Sequence, residues 1–146
     1  MTRWLLTRED DAETRAWLSA RGVDCATLPC LETQWLDWPW RDDCAGALLF
    51  FSSGRAVEAW QRSGVCRAAR SAALSPATSD ALEARGVTPT LAATGGVVAL
   101  ARALEAQWSR LTPPPSCIRY PTSHLGLVSP EQVEALAVLT SLARVE

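Results

Sequence analysis

Lysine is absent from this chain of 146 residues, so all 14 basic side chains are arginine. That excludes a Schiff-base lysine, a P-loop lysine and a lysine general base. The bias fits a GC-rich source composition, with selection for bidentate carboxylate binding as the alternative. Histidine is scarce too: His124 is the only one. The five cysteines, Cys25, Cys30, Cys44, Cys66 and Cys117, form no C-x-x-C pair, so neither a zinc cluster nor another cofactor site is indicated. Long hydrophobic runs are lacking as well. The stretch around Trp4, Leu5 and Leu6 is too short for a signal peptide, and no later run reaches membrane length. Nor is there a basic block: 14 basic and 16 acidic residues are spread along the chain, with a net charge of −2 and no nucleic-acid footprint. The expectation is a cytoplasmic protein with inert thiols and no membrane or nucleic-acid partner.

What is present is an ordinary globular composition, 48% hydrophobic and 21% charged, which is enough for a sizeable core. Strands are predicted at 4–7, 23–28, 47–51, 71–74, 88–92 and 117–120. Helices are predicted at 10–21, 55–62, 76–85 and 97–110, and a last one opens at Ser129-Pro130-Glu131-Gln132 with an N-cap serine, a proline at N1 and a capping-box glutamine. Gly22 and Gly86 stand where helices should stop. Strands alternating with helices predict an α/β fold, a mainly parallel sheet covered on both faces. Pro113-Pro114-Pro115 reads as a stiff linker, dividing an α/β domain at 1–112 from a strand and helix at 113–146.

Three of the predicted strands run into small, hydroxyl-bearing or glycine-rich turns before a helix: Phe51-Ser52-Ser53-Gly54-Arg55, Leu74-Ser75-Pro76-Ala77-Thr78 and Ala93-Thr94-Gly95-Gly96. Such turns aim backbone N–H groups at a carboxylate or phosphate. Repeated along one sheet edge, they predict an anion-binding face. Trp35, Trp38 and Trp40 cluster around Pro39, either covering an exposed edge or forming a shelf for an aromatic ligand.

The ordered set of Leu5-Leu6-Thr7-Arg8, Arg21-Gly22-Val23, Leu28-Pro29-Cys30-Leu31-Glu32, the Phe-Ser-Ser-Gly-Arg-Ala-Val turn, Leu-Ser-Pro-Ala-Thr-Ser with Ala81 to Val87 after it, and Thr94-Gly95-Gly96 resembles uroporphyrinogen-III synthase. The match runs through residues 5–104 and more loosely through 119–136. It departs where the family has Thr-Ser-Pro and this chain has Ser52-Ser53-Gly54, and where Glu9 replaces a common proline. Ser75-Pro76 also replaces a Gly-Pro or Gly-x turn. The family has two flavodoxin-like domains with substrate held in the cleft between them, and this chain is about half that length. Tyr120, the only tyrosine, does not match the position of the tyrosine often proposed as the family's proton donor.

The resemblance implies a flavodoxin-like half of such a protein and a lyase of haem biosynthesis. Its reaction would cyclise hydroxymethylbilane to uroporphyrinogen III with inversion of the last pyrrole ring and no cofactor. Substrate carboxylates would meet Ser52, Ser53, Arg55, Ser75 and Thr78, with Thr7, Arg8, Thr94 and Gly96 in support. Each has a plainer reading: Ser53 and Ser75 as helix caps, Thr78 as a core residue, the arginines as solvated surface. His124 has no visible partner for proton transfer. A noncatalytic module that binds a tetrapyrrole or a protein is the alternative function. A homodimer is the expected way for a half-length chain to cover its exposed surface.

Overall fold

The computed structural model describes residues 3–7, 12–30, 32, 34–37, 46–64, 70–122 and 129–146. The chain forms two compact units, Met1–Leu36 and Asp37–Glu146. In the first, β1 (Arg3–Leu6) and β2 (Asp24–Thr27) pair in parallel, and α1 (Ala12–Ser19) connects them. The turn after α1 passes through Gly22 at φ +70, a left-handed conformation that suits glycine, and α1 buries Leu18. The Arg21 guanidinium stacks 3.7 Å above the Trp17 ring, and Arg3 pairs with Asp24 at 3.0 Å.

The second unit carries β3 (Ala47–Phe51), α2 (Gly54–Ser63), β4 (Arg70–Leu74), α3 (Ala77–Glu83), β5 (Leu91–Ala93), α4 (Val97–Gln107), β6 (Cys117–Arg119) and α5 (Pro130–Leu142). The four strands are all parallel and stand in the order β5-β4-β3-β6. A flavodoxin arrangement sets a unit's first and third strands side by side, whereas β3 lies between the second and fourth strands, β4 and β6. The residues after the proline run give this same unit its β6 and α5.

Alternation along β3 explains its central place. Leu48 and Phe50 point into one core with α4 and α5 residues such as Leu100, Leu104 and Leu139; Ala47, Leu49 and Phe51 point into another with Val57, Trp60 and Leu82 of α2 and α3. All five residues of the strand are buried, as in a sheet covered on both faces. The proline run is tied to the sheet through Arg70, which donates to the carbonyls of Thr112, at 2.8 Å, and Pro113. Beyond α5, Val145 makes a parallel bridge to Ile118 of β6. Among the described residues, no helix is long and apolar enough to cross a membrane.

Candidate functional site

Because the four strands of the larger unit are parallel, their carboxyl ends share one edge, and the loops that leave them lie together along it. The chain winds from β3 toward β4 and β5 on one side and returns to place β6 on the other. The point of reversal therefore lies between β3 and β6, where the two outgoing loops diverge and open sheets of this class hold their ligands.

The β3 loop is Ser52-Ser53. Ser53 is the N-cap of α2: its backbone is extended, and its Oγ accepts the Ala56 N–H at 3.2 Å. Accepting leaves its own hydroxyl proton uncommitted, and its side chain is exposed. Arg55 follows in the first turn of α2, also exposed. Ser52 is half-buried and faces β6 across the point of reversal, where its Oγ lies 3.2 Å from the phenolic oxygen of Tyr120.

Tyr120 is the residue that the sequence reading did not place in the site. It is the first residue after β6, 5% exposed, with its ring edge-on to Phe50 at 5.0 Å and 81°. Its hydroxyl hydrogen bonds Ser52 and the Gln132 side-chain oxygen. Burial pushes the Tyr120 pKa above 10.0, and the hydrogen bonds from Ser52 and Thr122 oppose that rise. Gln132 sits at N3 of α5, whose N-cap Ser129 accepts the Gln132 N–H at 3.3 Å with Pro130 following. The glutamine expected to complete a capping box thus has its oxygen turned to Tyr120. A lone tyrosine directly after a short strand was the available signal: in a parallel sheet such a residue lies on the ligand edge.

The remaining predicted residues divide. Ser75 and Thr94 follow β4 and β5 on the same edge, and the Ser75 N–H donates to Ala93 O at 2.8 Å, which joins those two loops. Ser75 is not a cap: Pro76 holds the N-cap position of α3, with no side-chain cap. Thr78 is 4% exposed, which matches its plainer reading as a core residue and withdraws its hydroxyl from a ligand on the edge. Gly96 is the N-cap of α4 at φ +96, so that helix opens with no side chain over its first N–H groups. Thr7 follows β1 in the smaller unit, where its carbonyl accepts the Cys30 N–H at 2.9 Å. Arg8, Trp38, Trp40 and His124 lie outside the described residues; Trp35 is 39% exposed. Among the described residues, no group of three or more His, Cys, Asp or Glu side chains could hold a metal ion.

No family model and no curated protein matches the chain. Solved structures do. A mutant uroporphyrinogen III synthase from the extremely thermophilic bacterium Thermus thermophilus superposes with a TM-score of 0.58 at 16% identity, covering 99% of this chain and 60% of that one. The wild-type enzyme from the same organism gives 0.48 at 17% identity, again over 99% of this chain and 59% of its own. The chain thus spans about three fifths of the length of the structures it matches. At this identity the likeness establishes a shared α/β fold.

Proposed function

We propose that the protein binds a tetrapyrrole at the point of reversal between β3 and β6 and acts as a uroporphyrinogen-III synthase-like lyase, closing hydroxymethylbilane to uroporphyrinogen III. The observation that carries this reading is the superposition on a uroporphyrinogen III synthase over 99% of the chain, with hydroxyls gathered at the sheet's reversal point. The chemistry asks little of titrating groups. The hydroxymethyl group of the substrate ionises readily with the help of its own pyrrole, so the protein's task is to fold the chain into the conformer that closes with the last ring inverted. Fixed hydroxyls and backbone amides suit that task, since they orient polar groups without gaining or losing charge. Ser53, with a free proton beside the α2 N-terminus, is the best placed of the predicted carboxylate ligands. Arg55, Ser75, Thr94 and Gly96 line the same edge. Thr7 and Arg8 enter the proposal through the resemblance alone.

Freshly prepared hydroxymethylbilane tests the reading. Catalysis yields the type III isomer, resolved chromatographically after oxidation, whereas uncatalysed closure yields type I. Tight binding of uroporphyrin with only type I product favours the noncatalytic module. Neither binding nor type III product removes both.

A further inference from the structure

We infer that Glu146 is a positioning residue for the ligand site: its carboxylate anchors residues 144–146 along β6, and its backbone carbonyl fixes Tyr120, the residue that faces Ser52. The inference rests on the tetrapyrrole reading of that site. The ladder between β3 and β6 ends at Leu49 opposite Arg119, one residue short of Tyr120. From there the support comes from the other side. Arg144, Val145 and Glu146 lie parallel to β6: Arg144 O accepts the Ile118 N–H at 2.8 Å, the Glu146 N–H donates to Ile118 O at 2.9 Å, and Glu146 O accepts the Tyr120 N–H at 3.0 Å.

Val145 stands opposite Ile118, so Arg119 and Glu146 are neighbours in the same register and project from the same face of the sheet. On that face the Arg119 Nε donates to a Glu146 carboxylate oxygen at 3.1 Å, and the Cys117 thiol lies 3.9 Å from the same atom. Arg119 is buried, and withdrawing a carboxylate from a buried guanidinium is costly. Backbone bonds along so short a segment open easily by themselves, so the ion pair is what keeps the segment docked. Tyr120 projects from the opposite face, where it meets Phe50 and Ser52. One residue thus grips two in succession, Arg119 through its side chain and Tyr120 through its backbone.

Charge and position predict opposite signs for ligand binding. Glu146→Ala removes a negative charge, and by Coulomb's law alone that strengthens the binding of a polycarboxylate such as uroporphyrin III. Loss of the anchor weakens it instead. Glu146→Ala should therefore bind uroporphyrin III about fivefold more weakly than wild type, the worth of one hydrogen bond at the site. Exchange of the Tyr120 amide, followed by NMR, should quicken by roughly tenfold, the worth of a hydrogen bond to a charged group, while β4 amides keep their wild-type rates. Glu146→Gln also lacks the charge but still accepts from Arg119. It should bind uroporphyrin III at least as well as wild type and exchange its Tyr120 amide more slowly than Glu146→Ala does.

Unchanged or tighter binding by Glu146→Ala, a Tyr120 amide no faster than in wild type, β4 amides that quicken equally, or equal weakening in Glu146→Ala and Glu146→Gln overturns the inference and leaves the tetrapyrrole reading in place. Wild type that fails to bind uroporphyrin III overturns both.

Discussion

The Tyr120 hydroxyl belongs to the only tyrosine in the chain, so near-ultraviolet tyrosinate absorbance follows its ionisation without interference from a second phenol. Burial raises its pKa above 10.0, and the titration midpoint should fall above that of free tyrosine. The sign for stability follows. A group that stays protonated more firmly in the folded state contributes stability that is complete below its unfolded pKa and is lost as pH rises through the folded one. Wild type should therefore lose stability above about pH 10 more steeply than Tyr120→Phe, as measured by denaturant unfolding.

Glu146 has the opposite sign. Its hydrogen bond to buried Arg119, at 3.1 Å, holds the carboxyl below 4.5; desolvation opposes this, and Arg144 adds to the lowering. The contribution is present above the ordinary value and is lost as pH falls below it. Glu146→Gln should be less stable than wild type at neutral pH, and the two unfolding curves should converge as the pH falls below about 4.5. A constant gap across that range would show that the carboxylate charge does not contribute.

At the scale of elements, β3 holds the sheet together, and its side chains face two cores at once. Phe50 is fully buried, meets Tyr120 edge-on and lies among α4 and α5 side chains, so Phe50→Ala should cost about 3–5 kcal/mol in unfolding free energy. Truncation to alanine at exposed Leu36 should cost under about 0.5 kcal/mol. β3 was also the most legible element. Five apolar residues between Gly46 and a serine turn gave both of its boundaries, and the capped start of α5 was equally plain.

Other elements drifted. The fifth strand was expected at 88–92 and forms at Leu91–Ala93, because Pro89 has no N–H for a ladder and the sheet pairing begins only with Leu91 opposite Ala72. The long fourth helix gives way to a 3-10 turn at Trp108–Arg110 before the prolines. The loops of the site were legible because glycine, serine and proline punctuate them. Tyr120 and Gln132 were not, because their meeting depends on β6 joining β3 and on the approach of α5, which no local pattern encodes.

At the scale of the molecule the two units differ in how much they bury. The larger has a four-stranded sheet enclosed by helices on both faces. Among the described residues, the smaller has two strands and one helix, with Trp4, Leu5, Trp17 and Leu28 each more than half exposed. Two strands alone are marginal in water. Hydrogen exchange should therefore show amides of β1 and β2 exchanging well before those of β3, β4 and β6; equal protection throughout would mean that the units open as one. Light scattering tests the expected homodimer.

The placement of β3 also sets an order of events at the ribosome. Its uncharged run of Leu48, Leu49, Phe50 and Phe51 emerges early, yet one of its two flanking strands, β6, lies about 70 residues further along the chain. At ordinary translation speeds that interval lasts roughly 4–14 s. Throughout it, the strand most prone to pair with copies of itself has an open edge. The nascent chain should consequently depend on a holding chaperone, or on a low concentration of nascent chains, far more than the stability of the finished sheet would suggest.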